Sequence, residues 1–296
     1  MAEVVVTGSL HLDLMLDTPQ RPGKGETVKG RSWHWKPGGK GGNQAVAAAG
    51  HGAATAMIGR IGDDDFGRRQ LARLRAAGVD MAAIGTDPEH GSGMSVAMIG
   101  DDGDYSAVIV SGANLHIDEG QIEAASPLLQ QTRVLLLQNE VNPDANLLAA
   151  RAARRGPAVI VLNAAPAAAF DPALAGLVDI LLVNEHEGAA LGGDPLDHAP
   201  ALVTTLGERG LVVRRRNAGP LAIDGHRVEL VDTHGAGDCF AGALAARLAR
   251  GDEIEAALHY ANAAAALHVS CPEVERTQIG ENDVRAFLER KQRKGG

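Results

Sequence analysis

VLLLQNEVNPDANLLAARAARRGPAVIVLNAAPAAAFDPALAGLVDILLVNEHE, residues 134–187, alternates short apolar runs with helical segments. The runs are Val134 to Gln138, Ala158 to Leu162 and Ile180 to Val183; helices are expected at 118–131, 143–155 and 171–176. Runs that are apolar throughout belong to strands buried on both faces, and parallel strands need crossover helices between them. The stretch therefore predicts an α/β fold, a three-layer α-β-α sandwich around a mostly parallel central sheet. Each run ends in polar residues: Asn139-Glu140, Asn163, and Asn184-Glu185-His186-Glu187. Open parallel sheets bind ligands beyond the carboxyl ends of their strands, so these groups should converge on one crevice.

The flanks extend the pattern. Val4-Val5-Val6 reads as a first buried strand ending at Gly8-Ser9, with Asp13 expected just past its end. Ala56 to Ile61 reads as a strand and Asp65 to Ala77 as a helix. Leu14 to Pro37 carries three prolines and both tryptophans and reads as short strands lying over the main sheet. Met94–Ile99 and Tyr105–Val110 form a hairpin across Asp101-Asp102-Gly103 that completes a small β lid. Ala201 to Leu206 is a further strand; Leu211–Arg214, Leu221–Ile223 and Val228–Val231 are expected as antiparallel edge strands. Asp252 is placed to cap an alanine-rich helix running to Val269, and Glu281 to Arg290 forms the last helix. The organisation expected is one domain, 1–296, with lid segments at about 14–36 and 92–110.

Two glycine-rich stretches lead into helices. The first is PGGKGGNQAVAAAGHG, 37–52, where glycines surround Lys40 and Asn43 precedes an alanine-rich helix. The second is VDTHGAGDCFAGALAARL, 231–248, where Gly235-Ala236-Gly237 precedes a helix with Phe240, Leu244 and Leu248 spaced by four. The first N–H groups of a helix lack internal partners and carry partial positive charge, which makes an anion site. Asp238 at the edge of the second site would repel a resting phosphate. Its chemistry is instead that of a base, taking a proton from a hydroxyl while the N–H groups hold a phosphoryl group in transfer. Neither stretch is a P-loop, because GxxxxGK[ST] does not occur in the chain.

Composition narrows the classes. A net charge of −9 argues against nucleic acid as a partner, and 3% aromatic residues leave few stacking platforms. Cys239 and Cys271 make no disulfide framework. The amino terminus lacks a signal-peptide pattern and no apolar run reaches membrane length, so a cytoplasmic location without membrane contact is expected.

With these residues in place, the chain resembles the ribokinase-like family of sugar and nucleoside kinases. GGKGGNQA at 38–45 is similar to its N-terminal signature and DTHGAGD at 232–238 to its C-terminal one. NEHE at 184–187 is similar to its Asn-x-x-Glu motif and GSLHLD at 8–13 to its first sugar-binding loop. The resemblance implies ATP-dependent phosphorylation of a hydroxyl on a small sugar, a ribose-like pentose, or on a nucleoside. It makes Asp238 the catalytic base and Gly235, Ala236 and Gly237 the anion hole. It assigns His11, Asp13, Gly39, Lys40, Asn43 and Glu140 to the acceptor. Asn184, Thr205, Gly207, Gly210, Gly237 and Asn262 go to the nucleotide, and Glu187 to Mg²⁺, largely through water. Asp232 and the His234 carbonyl would hold an activating monovalent cation, potassium.

The chain departs from the family's pattern at three places. His11 stands where the family's ribose kinases carry Asn, SCPEVERT at 270–277 lacks the usual Gly-Ala of the cation loop, and only Asn184 to Pro200 separates two strands, so a crossover helix is expected to be reduced. A dinucleotide-dependent oxidoreductase is the competing reading, disfavoured because no GxGxxG joins a strand to a helix near the amino terminus. A sugar-binding module without catalysis would gain nothing from Asp238. The extended lid strands offer edges for pairing, so a homodimer through the lid is expected.

Overall fold

Val4, Val5 and Val6 have no exposed surface, yet they point to opposite faces of their strand. Val4 and Val6 enter one core and Val5 the other, which is what an interior strand of a sheet covered on both sides requires. The computed structural model describes residues 1–101, 105–168, 171–216 and 218–295. Among these, thirteen strands build two sheets.

In chain order the strands are β1 (Val4–Thr7), β2 (His11–Asp17), β3 (Ser32–Gly38), β4 (Thr55–Gly62), β5 (Asp80–Asp87), β6 (Gly93–Ile99), β7 (Tyr105–Val110), β8 (Val134–Gln138), β9 (Val159–Asn163), β10 (Ile180–Asn184), β11 (Ala201–Thr205), β12 (Leu211–Arg215) and β13 (Ala218–Ile223). The helices are α1 (Lys40–Gly50), α2 (Asp65–Ala76), α3 (Glu119–Ala124), α4 (Ser126–Gln131), α5 (Pro143–Ala153), α6 (Pro172–Ala175), α7 (Glu185–Ala190), α8 (Ala236–Ala249), α9 (Ile254–Ser270), α10 (Glu273–Arg276) and α11 (Glu281–Gly295).

The nine-stranded sheet runs β13-β12-β11-β10-β9-β8-β1-β4-β5. It is parallel from β11 to β5, with β12 and β13 antiparallel at one edge. One face packs on α1, α2, α8, α9 and α11 and the other on α3 to α6. A Cβ on Gly242 of α8 would lie 2.5 Å from the Ala47 Cβ of α1, so the two helices approach backbone to backbone.

The second sheet runs β3-β2-β6-β7, with β2 and β6 parallel and both outer pairs antiparallel. It is tied to the main sheet at Leu10, whose N–H and C=O both bond the buried Asn114 side chain. Asp64 caps α2 through Gly67 N–H and also accepts from Ser92 just before β6.

Several sequence expectations need correction. Asp13 lies on β2, inside the second sheet, because the strand begins at His11. The helix expected over 118–131 is two helices, with Pro127 in the first turn of α4. β5 was not foreseen; DMAAIGTD carries little β-branched apolar character and lies at the sheet edge. Val228 to Val231 pairs with no strand: Val231 N–H bonds the Val269 carbonyl instead, and Leu230 and Val231 are exposed. The α9 N-cap is Glu253, and Asp252 pairs with Arg247. The connection from β10 to β11 is reduced as expected, to the six-residue α7 and one 3-10 turn. The hairpin turn at 102–104 lies outside the described residues.

Candidate active site

The crevice forms where β9, β10 and β11 end and α1 and α8 begin. A cavity of about 190 Å³ is lined there by Lys40, Asn163, Asn184, Glu187, Thr205, Thr233, Gly235, Ala236, Gly237 and Asp238, among others. Asn163 lies here as its place at a strand end leads one to expect, whereas Thr233 carries no role in the sequence reading.

Asp238 is the centre of the polar network. It falls in the first turn of α8 and is 8% exposed. Asn43 Nδ2 donates to its Oδ2 at 2.9 Å and Gln44 Nε2 to its Oδ1 at 3.0 Å. Burial pushes its pKa above the ordinary carboxylate range, while Lys40 and the two amide donors pull the other way. Gln138 orients Gln44 from β8, and Arg73 of α2 orients Asn43. Burial lowers the Arg73 pKa to about 10. Arg73 was not foreseen: an Arg on another element carries no local signature.

Gly235 starts α8 with φ +76, a conformation that L side chains rarely adopt. Ala236 N–H bonds the Thr233 carbonyl, and the Gly235 and Gly237 N–H groups have no acceptor among the described residues. A base beside unpartnered N–H groups is an arrangement for transferring a phosphoryl group to a hydroxyl.

On the lid side, Asp13 accepts from Ser95 at 2.6 Å and rests over Gly38, where a Cβ would lie 2.2 Å from its carboxylate. Glu140 accepts from Lys40 N–H at 2.8 Å and from Ser9 Oγ at 2.5 Å. His11 is buried, with Nε2 unpartnered among the described residues. Burial lowers its pKa against the opposing charges of Glu140 and Asp13. Asp13, Glu140 and His11 line neither this crevice nor the larger cavity of about 450 Å³ that meets it at Asp238. That cavity lies between β3, α1 and α10 and is lined by Trp35, Lys36, Arg73, His234, Asp238 and Arg276, among others.

Asn184 and Glu187 form a reciprocal capping box at α7, bonding each other's backbone N–H at 2.8 and 2.9 Å. Gly207 and Gly210 bracket the turn after β11, outside the crevice. Asn262 Nδ2 donates to the Asp224 carbonyl at 2.8 Å. Asp232 is held below the ordinary carboxylate range: burial would raise it, but the His234 N–H, Lys36 and Arg276 outweigh that. Burial, with Lys36 adding to it, lowers the His234 pKa.

A family model described as pfkB family carbohydrate kinase matches residues 1–278. A ribokinase of Bacillus subtilis is 38% identical over 279 residues, covering 91% of this chain and 93% of its own. A deoxyribokinase of Salmonella typhi is 30% identical over 284 residues, covering 90% and 92%. The solved structure of Arabidopsis thaliana ribokinase complexed with ribose and ATP matches with a TM-score of 0.90 at 26% identity, covering 97% of this chain and 99% of that one.

Proposed function

Since the chain belongs to the pfkB family of carbohydrate kinases and is an ATP-dependent sugar kinase, we propose that its acceptor is ribose, phosphorylated on the primary hydroxyl. The observation that carries this reading is Asp238, a buried base held by two amides beside unpartnered N–H groups. Support for ribose comes from the relatives named ribokinase and from Glu140, whose charge acts on Asp238.

Asp13 and Glu140 accept hydrogen bonds from ring hydroxyls, with Asn43 and Lys40 completing the clamp. This places the primary hydroxyl against Asp238, whose raised pKa suits it to take the proton as the new P–O bond forms. The N–H groups of Gly235 to Gly237 hold the phosphoryl oxygens as charge builds on them. Asn184, Glu187 and Thr205 present oxygen atoms on one crevice wall, a donor set that fits Mg²⁺ arriving with ATP. Bound there, Mg²⁺ would neutralise phosphate charge. Gly207, Gly210 and Asn262 flank the nucleotide beyond this point. The second sheet serves as a lid that excludes water, so that ATP is not wasted on hydrolysis.

The lid also supports a homodimer. Its edge strand β7 exposes Val108, Ile109 and Val110, and β3 exposes Trp33. An uncovered apolar edge strand invites pairing with a second copy. A cytoplasmic location fits a chain that uses ATP. Light scattering should give twice the chain mass, and a monomer would remove the dimer from the proposal.

The test of the acceptor is ADP release with ATP and Mg²⁺ across ribose, deoxyribose, fructose and common nucleosides. Ribose should show the highest kcat/KM. Preference for another compound would make His11 the residue that redirects specificity, and inactivity with every compound would sink the acceptor assignment.

A further inference from the structure

Four oxygen atoms converge on the Arg276 guanidinium. Its Nε–H donates to the Cys271 carbonyl at 3.1 Å. Nη1 donates to the Asp232 carboxylate at 3.1 Å and to the His234 carbonyl at 3.0 Å, and Nη2 donates to the Asp232 carbonyl at 2.9 Å. Three carbonyls and a carboxylate turned toward one point repel one another unless a cation sits among them. Here that cation is attached to the chain, on a side chain only 6% exposed.

The same oxygens carry other partners. The second Asp232 carboxylate oxygen accepts from His234 N–H at 3.0 Å. Lys36 Nζ lies 3.4 Å from the first, and His268 Nε2 lies 3.0 Å from the His234 carbonyl. The potassium ion that the family resemblance implies would need the Asp232 carboxylate and the His234 carbonyl. Both are already engaged, and two positive side chains already face Asp232. The residues present do not fit a monovalent cation.

We propose that Arg276 stands in for the monovalent cation, so that this kinase works without potassium. The physical link to the reaction is the planarity of the trans peptide, in which C=O and N–H point in opposite directions. Fixing the His234 carbonyl on Arg276 aims the Gly235 N–H the other way, into the anion hole. Fixing the Asp232 carbonyl does the same for Thr233, which lines the crevice. Arg276 touches neither substrate; it is a positioning residue. A tethered charge needs no binding from solution, so the loop stays ordered at any potassium concentration. The proposal rests on the anion-hole role of Gly235 to Gly237.

The full chain is assayed for ADP release with ATP, Mg²⁺ and ribose in choline chloride and in KCl of equal ionic strength. Wild-type rates should agree within about twofold, since only general screening remains. Arg276→Ala should lose about 100-fold in kcat in choline chloride, the scale of a misaligned oxyanion donor, with KM for ribose little changed. KCl or guanidinium chloride should restore about tenfold of that loss. Arg276→Lys should keep most of the activity in choline chloride. Thermal melting gives a reading independent of turnover: wild type should melt equally in both salts, and Arg276→Ala should melt lower in choline chloride and be raised by KCl. Wild type stimulated more than about fivefold by KCl, or melting higher in it, overturns the proposal. So does an Arg276→Ala loss that neither ion repairs, or no loss at all. If no sugar is turned over but the melting pattern holds, only the acceptor assignment fails.

Discussion

α1 and α8 both start at a glycine of positive φ, lack a side-chain cap, and pack against each other, yet their amino termini do different work. At α1 the first amides are answered from within the chain. Glu140 takes the Lys40 N–H, the Ser9 hydroxyl takes that of Gly41, and the Ser9 carbonyl takes that of Gly42. At α8 the Gly235 and Gly237 N–H groups have no acceptor among the described residues, and a carboxylate stands beside them. The same local device thus serves once as an anchor with a resident anion and, on the proposed reading, once as a seat for an exchangeable one. What separates them is whether a distant strand end delivers a carboxylate.

The comparison breaks most sharply at Asp238. Asp238→Asn should lower kcat by about 10³-fold while ATP and ribose still bind, seen by steady-state kinetics alongside calorimetry. Removing the resident anion at α1 should act differently. Glu140→Gln should raise the KM for sugar by about 10- to 100-fold, the scale of a lost charge-assisted hydrogen bond, with a smaller drop in kcat.

The two glycines sharpen it further. A Cβ at Gly39 would lie 2.6 Å from the His11 backbone nitrogen, whereas one at Gly235 would meet only the His268 ring at 3.2 Å. Gly39→Ala should therefore destabilise the fold by about 3 kcal/mol, as backbone strain adds to a clash. Gly235→Ala should cost about 1 kcal/mol, with a loss of rate larger than the loss of stability. Denaturant unfolding of both variants checks the difference.

The smallest effect is on pH. Because burial raises the Asp238 pKa, the acid limb of kcat/KM should lie above the ordinary carboxylate range. Activity falls as pH drops through that value, because the base becomes protonated. Asn43→Ala removes a donor that favours the ionised form, so the limb should move to still higher pH. The stability linkage has the opposite sign. Ionised Asp238 costs stability above its folded pKa, and that cost vanishes below the unfolded value of about 4. A pH series of rate and melting temperature reads both.

Much of this was legible along the chain. Val134 to Val183 announced a doubly covered parallel sheet because its strands are apolar throughout. The α8 site could be read because glycine, helix start and Asp238 lie within four residues of one another. Four motifs in order carried the family resemblance and with it the assignments of Asp13, Lys40 and Glu140. The errors fall where local pattern and tertiary context part. Val228 to Val231 has strand-like composition but, among the described residues, no neighbouring strand to pair with. DMAAIGTD has weak composition but lies beside β4, which offers one. Pro127 divides the helix over 118–131, a break that apolar periodicity alone does not reveal.

By itself, then, the sequence determined the layered α/β architecture, the two glycine-started helices and the place of Asp238 beside the second, because each is written in neighbours a few residues apart. Tertiary structure decided that Glu140 answers the first amide of α1 and that Arg276 meets the carbonyls before α8. Glu140 lies 100 residues from Lys40, and Arg276 lies 44 from Asp232. Groups so far apart in the chain interact only once folding has brought them within hydrogen-bonding distance, and no local pattern records where that will happen.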